Sequence, residues 1–112
     1  MKNEIALDGN SLTIDLIEEF LVKNKKIVLS NSAIKRVKAS RKVVEDWIKE
    51  GKVIYGVTTG FGEFANVKIS RENIAKLQEN LIISHSAGVG EMLPLFIVKI
   101  MMLLRVNALA KG

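Results

Sequence analysis

At 112 residues, 48% of them hydrophobic, the chain is long enough for one globular domain with a modest core, and its composition excludes a disordered polypeptide. It contains no cysteine and a single histidine, which excludes disulfides and thiolate metal ligands and argues against a metal site of clustered ligands. The formal net charge is +5, and the first residues combine acidic side chains with no apolar run, so they predict no signal peptide and a cytoplasmic location.

The segment 1–30 predicts short strands and one helix. The turn signal Asp8-Gly9-Asn10, between IALDG and SLTID, indicates a hairpin or an extended pair of strands. Thr13 is placed to cap a helix whose apolar positions recur at helical spacing as far as about Asn24. Residues 25–30 then predict a brief strand.

A second helix is predicted over 32–50, where Ser30 or Ser32 caps the start and Gly51 follows the end. This helix lies in the basic stretch Lys23–Lys52, which holds ten basic and three acidic residues. Such a stretch indicates either a solvated helix face or a small basic module that binds nucleic acid or an acidic partner. We favour the solvated face and expect no nucleic acid partner, because only one aromatic residue lies among these charges.

The only tyrosine, Tyr55, opens a loop over 53–69 that is rich in glycine and threonine. The seven positions after it include Gly56, Thr58, Thr59, Gly60 and Gly62. A turn needs one or two glycines, so three indicate backbone that moves or that another group approaches closely. Two interpretations are open for the phenol: a half-buried ring whose hydroxyl bonds to nearby backbone, or an acid–base group.

Two further helices are predicted after this loop, one capped by Ser70 over 70–87 and one over 94–110 that begins at a proline. Ser84 and His85 are adjacent, so their side chains point about 100° apart and do not form a nucleophile–base pair. His85 lies beside the apolar stripe of its helix, either as a buried, hydrogen-bonded side chain or as part of a pocket wall. The fold class is therefore mostly α with short β pieces (α+β).

The helix over 94–110 is apolar on nearly every side, since Lys99, Arg105 and Asn107 point in three separate directions. A membrane span needs roughly 18 or more uninterrupted apolar residues, and Lys99 and Arg105 break this run into shorter pieces. We therefore expect no membrane partner. A helix of this kind is normally covered on all sides, so we expect the chain to self-associate through it or to belong to a larger protein.

Three blocks resemble the aromatic amino acid lyase family, which includes histidine, phenylalanine and tyrosine ammonia-lyases and related aminomutases. Residues 55–62, YGVTTGFG, are similar to the tyrosine loop of that family. Residues 77–90, which end in SHSAGVG, and residues 105–112, RVNALAKG, are similar to the segments that follow it. The resemblance spans the chain but only the first part of a family member. It implies that residues 1–112 are a single N-terminal segment of a mostly helical lyase fold.

The resemblance also implies roles for individual residues. Tyr55 matches a catalytic base that takes a proton from the β-carbon of the substrate, on a loop that closes over the active site. The other residues of that loop are Gly56, Thr58, Thr59, Gly60, Phe61 and Gly62. Ser84 and His85 match positions that contact the side chain of the substrate. The family's quaternary structure, a helical bundle shared by four subunits, implies a tetramer or the remainder of a lyase chain as partner.

The electrophile of the family, a methylidene-imidazolone, forms from an Ala-Ser-Gly triplet that this sequence does not contain. We therefore expect no cofactor in this chain and no activity from it alone. The Ser84-His85 pair favours histidine as substrate, and with it a role in histidine degradation. Thr58 is instead typical of the tyrosine and phenylalanine members, so a tyrosine ammonia-lyase or tyrosine aminomutase segment stays open as the alternative. A second alternative is a regulatory fragment that has no catalytic activity of its own.

Overall fold

The computed structural model describes residues 3–112, apart from the side chains of residues 64 and 71. The chain divides into two compact units. Within the described residues, unit 1 comprises 3–41 and 92–112, and unit 2 comprises 42–91. Helices predominate and the described residues contain one two-stranded sheet, which confirms the predicted mostly α class with short β pieces.

Unit 1 begins with a strand–helix–strand motif. Strand β1 (Glu4–Leu7) pairs in parallel with strand β2 (Lys26–Leu29), and helix α1 (Ile14–Val22) connects them. Parallel strands cannot be joined by a tight turn, so a crossover such as α1 is required. Thr13 is the N-cap of α1, as predicted, and its hydroxyl oxygen accepts a hydrogen bond from the Leu16 N–H at 3.3 Å.

The hairpin predicted around Asp8-Gly9-Asn10 does not form, because β1 pairs with β2 instead. Asp8 makes a local turn in which its carboxylate accepts hydrogen bonds from the Asn10 N–H, the Ser11 N–H and the Ser11 hydroxyl, each at 2.8 Å. Those bonds, the one from the Asn10 N–H above all, lower the pKa of Asp8 to about 2. The predicted turn is therefore present, but it directs the chain into α1 rather than into a second strand.

Helix α2 (Asn31–Lys49) begins after Ser30, whose hydroxyl oxygen accepts a hydrogen bond from the Ala33 N–H at 3.1 Å. Ser30 is therefore the capping residue of the two serines considered. At the other end, Gly51 has a φ of 69°, the left-handed conformation that glycine commonly supplies just after a helix.

The core of unit 1 contains Ile5, Leu7 and Leu103, all nearly inaccessible to solvent. The first two alternate with exposed residues along β1, and the third comes from helix α4 (Leu95–Leu109). Partly buried apolar side chains pack around them: Leu12, Ile17, Phe20 and Ile27. Short strands and one face of α4 thus share a small core.

Most of helix α4 is not covered within the described chain. Leu103 is its only buried residue, and large apolar side chains on the rest of the helix are exposed. The exposed ones are Leu95, Phe96, Met101, Met102, Leu104, Val106 and Leu109. The apolar pattern predicted that α4 is covered on all sides, but the rest of unit 1 leaves most of its surface exposed.

Unit 2 contains the end of α2, the tyrosine loop with a 3₁₀ turn at Gly62–Phe64, and helix α3 (Arg71–Ser84). Ser70 is the N-cap residue of α3, but its hydroxyl accepts from the Asn73 side-chain amide rather than from a backbone N–H. Helix α3 ends at Ser84, before the predicted end of the 70–87 helix. Side chains explain the early stop, since the serine hydroxyls at positions 84 and 86 donate to the carbonyl groups of the last turn.

Candidate active site

The turn that follows Tyr55 requires glycine at position 56. Gly56 has a φ of 68°, and a Cβ atom built on it would lie 2.8 Å from Cε1 of Phe61. A backbone hydrogen bond of 3.0 Å from the Thr58 N–H to the Ile54 carbonyl oxygen closes this turn. Glycine is needed here both for its positive φ and for the close approach of an aromatic ring.

Two buried threonines hold the loop from inside. Thr58 is 4% exposed, and its hydroxyl donates to the Lys52 carbonyl oxygen at 2.7 Å while accepting from the Ile54 N–H at 2.9 Å. Thr59 is fully buried, and its hydroxyl oxygen accepts from the Gly56 N–H at 3.3 Å. These side chains satisfy loop backbone groups that no helix or strand satisfies. The loop is therefore tied internally on both sides of Tyr55.

The phenol of Tyr55 is accessible, with 63% of the residue exposed. Its ring packs edge-to-face against Phe61, with centroids 5.8 Å apart and an angle of 76° between the planes. Its oxygen lies 3.5 Å from the Gly62 N–H, a long contact. Gly60, between them in sequence, is buried. The loop thus orients the ring from one side and leaves its hydroxyl open to a ligand.

Ser84 and His85 lie at the end of α3, and both are exposed. The His85 Nδ1 atom is 2.8 Å from the Leu81 carbonyl oxygen and 3.1 Å from the Ser84 hydroxyl oxygen, which itself donates to the same carbonyl at 2.9 Å. The two side chains therefore meet, which their adjacent positions on the helix did not predict, because both turn toward the same carbonyl group. A carbonyl oxygen only accepts, so this network assigns the hydrogen to Nδ1. Nε2 is then the ring atom that accepts a hydrogen bond from a ligand.

Tyr55 lies in the loop, whereas Ser84 and His85 lie at the end of α3. The part of the chain that the structure describes shows no hydrogen bond between Tyr55 and either Ser84 or His85. A cavity of about 410 Å³ in unit 2 is lined by other residues, among them Lys52 and Lys68. These 112 residues therefore offer the two candidate groups without enclosing a substrate between them.

Gln78, on α3, makes a contact with the loop that the sequence did not predict. Its side-chain Nε2 donates to the Gly56 carbonyl oxygen at 3.0 Å, and the residue is half-buried. The sequence indicated only that Gln78 shares a helix face with His85, because it precedes His85 by seven positions, or about two helical turns. Only the folded loop shows what this side chain contacts.

Much of the basic stretch is paired with carboxylates. Ion pairs join Lys23 and Lys25 to Glu19, Lys42 to Asp46, and Lys52 to Glu50. The hydrogen bonds from Lys23 and then Lys25 lower the pKa of the Glu19 carboxyl to about 2. The Lys42–Asp46 pair lies along the exposed surface of α2, and the Lys52–Glu50 pair just after it is also exposed, which supports the interpretation of a solvated face.

The described residues contain neither a candidate metal site nor a candidate membrane span. No group of three or more histidine, cysteine, aspartate or glutamate side chains is placed there to hold a metal ion. None of the helices in residues 3–112 has both the length and the apolar character needed to cross a membrane.

Comparison with known proteins gives one consistent set of relatives. Residues 12–112 match the family model described as aromatic amino acid lyase. The chain is 50% identical over 109 residues to a histidine ammonia-lyase of Caldanaerobacter subterraneus subsp. tengcongensis, an alignment that covers 97% of this chain and 22% of that protein. The chain thus spans only 22% of the length of this curated relative.

Solved structures agree with the sequence comparison. The fold is similar to a histidine ammonia-lyase from Trypanosoma cruzi, with a TM-score of 0.84 and 38% identity, over 97% of this chain and 21% of that one. It is also similar to a tyrosine aminomutase from Streptomyces globisporus, with a TM-score of 0.86 and 31% identity, over 97% and 21% of the two chains.

Proposed function

Because the chain belongs to the aromatic amino acid lyase family, we propose that it forms the N-terminal segment of an ammonia-lyase that converts histidine into urocanate and ammonia. The observation that carries the proposal is the accessible Tyr55 phenol on a turn held by two buried threonines. The similarity to histidine ammonia-lyases over nearly the whole chain supports histidine as the substrate.

In this proposal Tyr55 is the base of the elimination. The reaction breaks the Cβ–H and Cα–N bonds of the amino acid, forms a Cα=Cβ double bond and releases ammonia. The Tyr55 oxygen accepts the proton from Cβ, and the edge-to-face contact with Phe61 limits the directions in which the phenol can point.

Ser84 and His85 are proposed to bind the substrate side chain. With its hydrogen on Nδ1, the His85 ring offers Nε2 as an acceptor, which suits the N–H of a substrate imidazole. A tyrosine hydroxyl is also a donor, so the alternative of a tyrosine ammonia-lyase or aminomutase segment is decided by assay with both substrates.

The residues present do not form the electrophile of the family, because the sequence has no Ala-Ser-Gly triplet. Once formed in a family member, that group makes the amino group a better leaving group. We therefore propose that the chain supplies proton transfer and substrate binding, and that alone it releases no ammonia. A cytoplasmic location belongs to the same proposal and is supported by the cysteine-free sequence.

A chimera tests the function. This chain replaces the matching residues of the Caldanaerobacter histidine ammonia-lyase, and urocanate formation is followed by its ultraviolet absorbance. We expect turnover of histidine, and loss of roughly 10²- to 10⁴-fold in kcat in the Tyr55→Phe chimera, as for removal of a general base. An assembled chimera that is inactive with histidine, or that prefers tyrosine, would contradict the proposed substrate.

We further propose that the chain self-associates through the exposed apolar face of α4. A groove of about 230 Å³ lined by Phe20, Met102 and Val106 lies along this face, and soluble monomers rarely expose apolar patches beyond a few hundred Å². Sedimentation at micromolar concentration should show a species heavier than 12.4 kDa. Phe96→Glu should shift it toward the monomer, whereas Val89→Glu, at a more exposed apolar site in unit 2, should not.

A further inference from the structure

Gly56 is held by contacts on both sides of its backbone. Its N–H donates to the Thr59 hydroxyl oxygen, and its carbonyl oxygen accepts from the Gln78 Nε2 at 3.0 Å. Gly56 is bonded directly to Tyr55, and because both its N–H and its carbonyl group are held, the backbone next to Tyr55 has little freedom to move. The Gln78 hydrogen bond therefore acts one residue away from the phenol.

Among the side chains that the structure describes, Gln78 makes the one hydrogen bond that joins helix α3 to residues 53–62. The same helix leads directly into His85, whose backbone N–H still bonds to the Leu81 carbonyl oxygen at 3.2 Å. His85 lies seven positions after Gln78, or about two helical turns, so the two residues lie on the same side of α3 and its C-cap, about 10 Å apart along the axis.

From this connection we propose that Gln78 is a positioning residue, which fixes the Tyr55 turn relative to the end of α3 that carries His85. The inference rests on the proposed function, in which Tyr55 takes the proton and His85 holds the side chain of the substrate. A misplacement of about 1 Å between two such groups lowers a rate by roughly 100-fold. Gln78 touches neither substrate nor reacting atoms and acts only through Gly56.

Nuclear magnetic resonance of the 112-residue chain tests the tether itself. The Val57 amide nitrogen shares a peptide group with the Gly56 carbonyl, so its chemical shift reports a hydrogen bond to that oxygen. In Gln78→Glu the carboxylate cannot donate at neutral pH, whereas the carboxylic acid can donate below about pH 4. We expect the Val57 signal to move at neutral pH and to return toward its original position as the carboxyl group is protonated.

The matched control is Asn80→Asp, which makes the same amide-to-carboxylate change at an exposed position of α3. It should leave the Val57 signal in place at every pH. Gln78→Met, which has no donor, should shift the signal at neutral and acidic pH alike. A Val57 signal that is the same in Gln78→Met and in the unchanged chain would overturn the tether.

Kinetics of the chimera test the positioning role. We expect Gln78→Met to lower kcat by roughly 10- to 100-fold while KM changes by less than about threefold, because the misplaced group acts in the transition state. Asn80→Met should retain both constants. Unchanged kcat in Gln78→Met would overturn this role alone, whereas an inactive unsubstituted chimera would overturn the proposed function and this role with it.

Discussion

Replacement of Arg36 is expected to destabilise unit 1, because its guanidinium group joins parts of the chain that are distant in sequence. Its Nε donates to the Lys111 carbonyl oxygen at 3.0 Å, and its Nη2 donates to the carbonyl oxygens of Ala110, at 3.2 Å, and Asp8. The last carbonyl groups of a helix have no partner within the helix and lie at the negative end of its dipole. A cation bonded to the end of α4 is therefore favourable.

The burial of the acceptors sets the size of the effect. Ala110 is 1% exposed and Asp8 is half-buried, so water replaces the lost donors poorly there, whereas Lys111 is exposed and its carbonyl is readily hydrated. At about 1 kcal/mol net for each hydrogen bond that water does not replace, Arg36→Met lowers the free energy of unfolding by about 2 kcal/mol. Arg36→Lys keeps the charge but not the planar fork, so we expect a loss of about 1 kcal/mol.

Urea denaturation followed by circular dichroism, at one fixed protein concentration, measures these differences. Lys38→Met is the matched control, since it removes one positive charge from an exposed position of α2. It should stay within about 0.5 kcal/mol of the unchanged chain. If Arg36→Met and Lys38→Met unfold at the same urea concentration, the three carbonyl contacts do not stabilise unit 1 and the reasoning is refuted.

Stability should also fall as the pH is lowered from about 4 to 2. The hydrogen bond from the Asn10 N–H, with others of the turn, lowers the pKa of Asp8 from 3.8 to about 2. The ionised carboxylate therefore stabilises the folded chain above pH 4, and its protonation removes this stabilisation. The urea midpoint of Asp8→Asn should vary less over this pH range than that of the unchanged chain. Gly56→Ala should lower the thermal unfolding midpoint by the equivalent of about 1–2 kcal/mol because of its positive φ, whereas Gly88→Ala, where a Cβ atom meets nothing within 4 Å, should not. Thr13→Ala should lower the free energy of unfolding by about 1 kcal/mol through loss of the α1 cap, and Thr13→Ser should retain most of it in the same urea titration.

Local signals in the sequence predicted the local structure. Thr13, Ser30 and Gly51 mark helix ends because their effects depend on backbone groups within three or four residues. The pairing of β1 with β2 could not be predicted in this way. It depends on which strand meets β1 after the chain has folded across α1, and the turn at Asp8 is compatible with either outcome.

In the candidate site, too, the local features were predicted and the contacts between distant residues were not. The glycines after Tyr55 predicted backbone that another group approaches closely, and Phe61 is that group at Gly56. The buried hydroxyl contacts of Thr58 and the long-range contact of Gln78 had no counterpart in spacing or composition. A hydrogen bond between residues 22 positions apart exists only once the loop has its shape. Roles for Tyr55, Ser84 and His85 came from the resemblance, and they stay predictions until the chimera is assayed.

Helix α4 shows that an apolar sequence pattern predicts which surfaces favour burial but not whether a partner covers them. Apolar residues around the whole helix indicate that every side favours a dry environment, since each large side chain gains about 1.5–3 kcal/mol on full burial. Yet Leu103 alone is buried, because unit 1 supplies apolar partners to one side of the helix only. The free energy of covering the other sides is therefore still available to a partner. We propose that further lyase sequence or another copy of the chain is that partner, since the chain spans 22% of the length of its curated relative. The exposed face follows from the same pattern that predicted its burial.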